Sequence, residues 1–257
     1  MNEIPKRSRI NMFCKFSLIE RAAYISIDES ISSAEGKSEE LRRVIDLFEE
    51  LKSSGKLSLI SNEISEEGSL TELDGGYTFF WKGYPAFQNR LHGVGSPIRN
   101  SLVNRLGGTP VGVSPRLMHV RVPLADNRYV TVLSCYAPTL DSSVEDKDAF
   151  YETVDRELER IQAADKILVL GHFKARVCSD HRAWSGIIGQ HGTGKLNDNG
   201  HRLLTLCSKN QLFITNTDLQ LKDIHAVSWM HPRSTRRHTL DYIMVRQRDR
   251  RDVLIAR

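Results

Sequence analysis

Lys166-Ile167-Leu168-Val169-Leu170-Gly171-His172-Phe173-Lys174-Ala175-Arg176 is the stretch that decides how this chain is read. From Ile167 to Leu170 it is a short apolar run rich in branched side chains, the pattern of a strand buried on both faces. At Gly171 the run stops, and charged or polar side chains take over. Polar groups gathered at the ends of buried strands are how sites are usually built on α/β sheets. Upstream, residues 144–161 repeat apolar side chains at helical spacing, so a long amphipathic helix leads into the strand. Downstream, a second helix begins near Asn199 and carries Leu203, Leu204 and Leu206.

Further out, short β-rich runs punctuated by Gly and Pro dominate from Leu57 onward. The candidates are 57–61, 77–81, 93–95, 117–122, 129–135, 211–215 and 240–245. Asp126-Asn127 sits between two of them as a hairpin turn. Tyr77, Phe79 and Phe80 read as core rather than as a base-stacking platform. Before Leu57, residues 22–27 make a short strand, 30–38 a Ser-rich loop, and Leu41, Val44, Ile45, Phe48 and Leu51 one helix. Hairpins mixed with helical crossovers predict an α+β layering rather than a purely parallel sheet.

Composition narrows the class. At 257 residues the chain can bury a proper core, and 40% hydrophobic with 26% charged residues is ordinary for a globular protein. Lys and Arg exceed Asp and Glu by 36 to 32, a net charge of +4 that hints only weakly at polyanion binding. Cys14, Cys135, Cys178 and Cys207 are far apart and form no Cys-x-x-Cys pair, which argues against a zinc site and against a disulfide scaffold. No disulfide partner is implied, and a reduced intracellular setting, nuclear or cytoplasmic, is expected. There is no apolar block of signal-peptide or transmembrane length, so no membrane partner is expected.

Several strand ends carry candidate site residues. Tyr136 ends one strand in Ser134-Cys-Tyr-Ala-Pro-Thr139, with Pro138 turning the chain away. His172 and Lys174 follow another. Ser228-Trp-Met-His231 and His238-Thr-Leu-Asp241 flank a third. In order, Tyr-Ala-Pro-Thr, Leu-Gly-His-Phe-Lys-Ala-Arg, Asn-Asp-Asn-Gly, Ile-Thr-Asn-Thr, Ser-Trp-Met-His-Pro and Leu-Asp-Tyr-Ile resemble the endonuclease/exonuclease/phosphatase family. The wording is most similar to its retrotransposon-derived, LINE-type branch. The resemblance covers 57–253.

That resemblance implies a two-sheet α/β (α+β) sandwich flanked by helices, and a Mg²⁺ or Mn²⁺ that polarises a scissile phosphate. It also implies nucleic acid as partner, DNA ahead of RNA. Residues 57–257 are expected to form this domain, C-terminally truncated and lacking its final strand, with 1–56 a diverged N-terminal segment. By the same resemblance the catalytic positions fall on Tyr136, His172, Lys174, Ser228 and Asp241. The metal position falls on Asn62 and Glu63, and nucleic-acid contacts fall on Asn197, Asn199, Arg233, Arg236 and Arg237.

The departures lie at the chemistry. The family's strand ends Gly-Asp-Phe-Asn-Ala-Arg, where this chain has His172 and Lys174 in place of the Asp and the Asn. Asn62 stands where the first metal-ligating Glu belongs. Glu63 lies one residue along, on the opposite face of a strand, and substitutes only through a bulge or register shift. Lys174 puts an ammonium within reach of the metal position. Two unit charges at about 4 Å repel by roughly 4 kcal/mol at an effective dielectric of about 20, and a divalent ion doubles that. The family's Asp-His pair beyond the Leu-Asp-Tyr motif has no match before Arg257, so Asp241 is expected to have lost its partner.

The sequence thus predicts a degenerate endonuclease homologue, with hydrolysis absent or greatly impaired. Two rivals stand beside it. One is an active Mg/Mn-dependent endonuclease in which His172 and Glu63 take over the missing roles. The other is a non-catalytic nucleic-acid-binding module using Arg233, Arg236 and Arg237, a cluster that reads equally well as a solvated charged face.

Overall fold

The computed structural model describes residues 22–24, 67–72, 76–84, 93–124, 127–192, 194–218, 229–230, 237–238 and 240–253. The expected helix over 41–51 and strand over 57–61 lie outside them. In chain order the elements are β1 (Ala22–Tyr24), β2 (Glu67–Glu72), β3 (Tyr77–Lys82), β4 (Gly93–Arg99) and the one-turn α1 (Asn100–Val103). There follow β5 (Val111–Ser114), β6 (Leu117–Pro123), β7 (Tyr129–Tyr136), α2 (Val144–Arg160), β8 (Lys166–His172), α3 (Asp198–Lys209) and β9 (Leu212–Ile214). The two-residue strands β10 (Trp229–Met230) and β11 (Arg237–His238) precede β12 (Asp241–Arg246).

These strands build two main sheets. One runs β1-β4-β3-β2 and the other β5-β6-β7-β8-β12-β9, with β10-β11 a separate pair. Both main sheets are mixed. β1 lies parallel to β4, so a piece of the N-terminal segment completes the first sheet, and β7 lies parallel to β8 while β12 runs against both β8 and β9.

The order follows from the sequence. β6 and β7 are a hairpin because Asn127, at φ 55, takes the left-handed turn conformation that asparagine tolerates. β7 and β8 read as near-continuous apolar runs because both faces are covered, and all but their first residues are buried. The α2 helix starts where Ser143 Oγ accepts a hydrogen bond from the Asp146 amide at 3.0 Å, with Glu145 and Asp146 favouring the positive end of the helix.

Two cores result. On one face of the larger sheet, Leu133, Val169, Tyr242 and Met244 pack under Phe150, Tyr151, Val154 and Leu158 of α2 and Leu203, Leu204 and Leu206 of α3. On the other, Val120, Val132, Leu168, Leu170 and Ile243 meet Ile98 and Leu102, with Phe80 against them. This is the expected sandwich with helices on an outer face. Tyr77 and Phe79 are buried, as core residues should be. Among the described residues, Cys135, Cys178 and Cys207 are free thiols, and no helix is long and apolar enough to cross a membrane.

Candidate functional site

Strand register builds the site. Across parallel β7 and β8, Tyr136 pairs with His172; across antiparallel β8 and β12, His172 pairs with Asp241. Register partners project from the same face, so three residues distant in sequence form one row at the ends of three central strands. The Tyr136 and His172 rings stack with centroids 5.8 Å apart and planes 22° apart. His172 Nδ1 lies 2.7 Å from Asp241 Oδ1, a hydrogen bond that the carboxylate accepts. All three side chains are buried, at 8%, 5% and 8% exposure. The expectation that Asp241 lost its partner is corrected here: the substituted residue, His172, is its partner. Gly171 makes the row possible, since a Cβ at this position would strike the Cys135 carbonyl on β7.

Beyond β8 the chain enters a loop that is held from several sides. The Phe173 amide donates to Leu240 O at 2.9 Å, and Tyr242 Oη donates to Ala175 O at 3.3 Å. Asn199 Nδ2 donates to Phe173 O at 3.3 Å and to Pro138 O at 3.0 Å, tying together the loops that follow β8 and β7. Asn197 Oδ1 caps α3 by accepting from the Gly200 amide at 2.7 Å, accepts from the Arg176 amide at 2.9 Å, and its Nδ2 donates to Lys174 O at 3.3 Å. Inside this frame Lys174 sits at φ 50, a left-handed conformation that costs an ordinary L-residue energy and persists only where its surroundings over-determine it.

The Lys174 side chain crosses Tyr136, with Nζ 4.0 Å from the ring centroid. Burial, with a smaller push from Arg116, brings its ammonium down from the ordinary 10.5 to about 8. Arg116 stands by the same ring, its Cζ 5.9 Å from the centroid and its Nη1 donating to Tyr136 O at 3.2 Å. Its pKa is lowered by burial, partly offset by Tyr84, Tyr136 and Asp146. Sequence reasoning missed Arg116. The signal lay in the β6–β7 register, which pairs Leu117 with Cys135 and so sets Arg116 opposite Tyr136; the Tyr136 amide donates to Arg116 O at 2.9 Å.

The structure therefore brings together Tyr136, His172, Lys174 and Asp241, and adds Arg116. Asn199 is fully buried (0% exposed), so its amide serves the loops rather than a ligand, and Asn197 is occupied as a cap. These placements replace the expected phosphate contacts of the two asparagines with support of the Lys174 loop. Arg237 lies on β11. Asn62, Glu63, Ser228, Arg233 and Arg236 lie outside the described residues.

A divalent cation does not fit the described part of this site. Among the described residues no three His, Cys, Asp or Glu side chains gather to hold one. The single carboxylate in the row accepts from His172, and a cation beside it would face Lys174 and Arg116. Chemically the row is an imidazole oriented by a carboxylate, beside an aromatic ring flanked by two positive charges.

Comparison with known proteins bears on what this arrangement descends from. No family model matches the chain. Craniofacial development protein 2 from Bos taurus is 35% identical over 128 residues, which cover 50% of this chain and 21% of that protein. The same protein from Tragulus javanicus is 34% identical over 128 residues, covering 50% of this chain and 22% of its own length. The chain spans about a fifth of the length of these curated relatives. Among solved structures, the endonuclease/exonuclease/phosphatase family protein from Leptotrichia buccalis aligns with a TM-score of 0.40 at 15% identity, over 66% of this chain and 60% of that one. Humanized D. rerio TDP2 aligns with a TM-score of 0.42 at 12% identity, over 87% of this chain and 82% of that one.

Proposed function

We propose that this chain is a degenerate homologue of a metal-dependent nucleic-acid endonuclease of the endonuclease/exonuclease/phosphatase family. On this reading it descends from the retrotransposon-derived, LINE-type branch and has lost most or all phosphodiester hydrolysis. It keeps the capacity to hold nucleic acid, DNA ahead of RNA. The observation that carries the reading is Lys174, whose ammonium lies over Tyr136 beside the His172–Asp241 pair. A cation-assisted hydrolase needs positive charge that a bound metal supplies to the scissile phosphate. On this reading Lys174 stands where the metal's charge would act, which disfavours the metal and supplies no activated water. Residues that act as a unit fail together when several members change.

One observation favours the rival reading of a working endonuclease. Histidine oriented by a buried carboxylate is the arrangement of a general base, and the 2.7 Å contact between His172 and Asp241 has that form. Plasmid nicking in Mg²⁺ and in Mn²⁺ separates the two. The degenerate reading expects no nicking above a Lys174→Met, Asp241→Ala control; metal-dependent nicking that Asp241→Ala or Tyr136→Phe abolishes would establish the rival.

A further inference from the structure

We infer that the strand-end row of the larger sheet binds a phosphate oxyanion without a divalent cation, gripped by Lys174 and Arg116 around Tyr136. The inference deepens the degenerate-site reading and rests on it: a site that no longer favours a metal has acquired fixed cations in its place.

Both cations converge on one ring, Lys174 from its face at 4.0 Å and Arg116 at 5.9 Å. Neither makes an ion pair among the described residues. By contrast Lys147 is paired with Asp198, Lys166 with Asp249 and Asp252, and Arg202 with Asp148 and Asp198. The carboxylate in the row, Asp241, is directed at His172 and does not pair with either cation. Burial lowers the pKa of each, and for Lys174 the neighbouring Arg116 adds to it, while Asp146 partly offsets the fall at Arg116.

An anion opposes that lowering. A guanidinium offers a planar fork of donors and an ammonium a compact point charge, a combination suited to the tetrahedral oxygens of a phosphate. The geometry is set in advance. Hydrogen bonds from Asn197, Asn199 and Tyr242, and one from the Phe173 amide to the Leu240 carbonyl, fix the loop that carries Lys174, so little ordering remains to oppose binding. The anion is either the terminal phosphate of a nucleic-acid strand or free phosphate, and the chemistry at Lys174 and Arg116 is the same for both.

Isothermal titration of the full chain in EDTA tests this, with inorganic phosphate as probe and chloride as control. A parallel arm uses a short single-stranded DNA with and without a 5′-phosphate. Phosphate is expected to bind in EDTA, with no tightening when Mg²⁺ replaces the chelator. Lys174→Met and Arg116→Gln should each weaken it about tenfold or more, the usual effect of losing a charge-assisted hydrogen bond, while Lys174→Arg keeps most of it. A gain for the 5′-phosphorylated strand supports the inference with a strand end as source; binding of inorganic phosphate without that gain supports it with free phosphate as source. No phosphate binding in EDTA, binding that requires Mg²⁺, or binding indifferent to Lys174→Met with Arg116→Gln would overturn it. The wild-type EDTA titration decides even where a variant fails to fold. A chain that binds phosphate in EDTA and also nicks plasmid with metal would sink the degenerate reading alone; one that does neither would sink only this inference.

Discussion

The two ends of β7 use the same parts to opposite effect. At its start, Arg121 grips Asp165 with two hydrogen bonds, 2.7 Å from Nε and 3.0 Å from Nη2, and lies 3.6 Å over the Tyr129 ring. Thr131 Oγ1 donates to the same carboxylate at 3.2 Å. Every charge there has its partner, and the hydrogen bond to Asp165 raises the Arg121 pKa. At its end, Arg116 and Lys174 share Tyr136, the buried carboxylate turns to His172, and both cationic pKa values fall. One end is electrostatically closed and serves the fold. The other is left incomplete, as sites that await a ligand are.

The largest effect should come from breaking the closed end. Asp165→Ala removes the acceptor shared by Arg121 and Thr131 and should cost about 2 kcal/mol, the range for hydrogen bonds to a charged group. Urea unfolding would show it as a lower midpoint, with phosphate affinity unchanged. A loss under about 1 kcal/mol would show that the closed end is not the structural clamp described.

At the open end the sign should reverse. Lys174→Asn removes a desolvated charge and places a residue that tolerates the left-handed conformation at φ 50, so stability should rise by about 1 kcal/mol. The same denaturation experiment reads it. If this variant is destabilised instead, the contact of Lys174 with Tyr136 outweighs what its burial costs.

The last readout is pH. Because burial lowers the Lys174 pKa from 10.5 to about 8, the unfolded chain holds more protons than the folded one between those values. Stability from this group therefore rises with pH across that window, and the penalty is fully present below it. Lys174→Met should be more stable than wild type near neutral pH, with the margin shrinking as pH rises through about 8 toward 10.5. Comparing melts of the two chains isolates what depends on the Lys174 ammonium, including its repulsion by Arg116. A margin flat with pH would mean that Lys174 is not buried as described.

Much of this architecture was readable from local signals. The helix expected over 144–161 forms over Val144–Arg160, and the hairpin around Asp126-Asn127 forms as β6 and β7, because periodicity and turn chemistry act over a few residues. The site was less readable where it depends on register. His172 and Asp241 are 69 residues apart and meet only because β12 enters beside β8 at one alignment. Motif order named both residues but could not pair them. Asn197 and Asn199 look alike in sequence, yet one caps α3 and the other is sealed inside, a difference set by which way the chain enters the helix.

The hydrogen bonds that hold the loop at Lys174 come from its own backbone and from neighbours, and none uses the Lys174 side chain. Shape and polarity at this position are therefore inherited separately. One codon can change the charge presented at position 174 while the scaffold stays as it is, which makes this position a natural starting point for laboratory evolution.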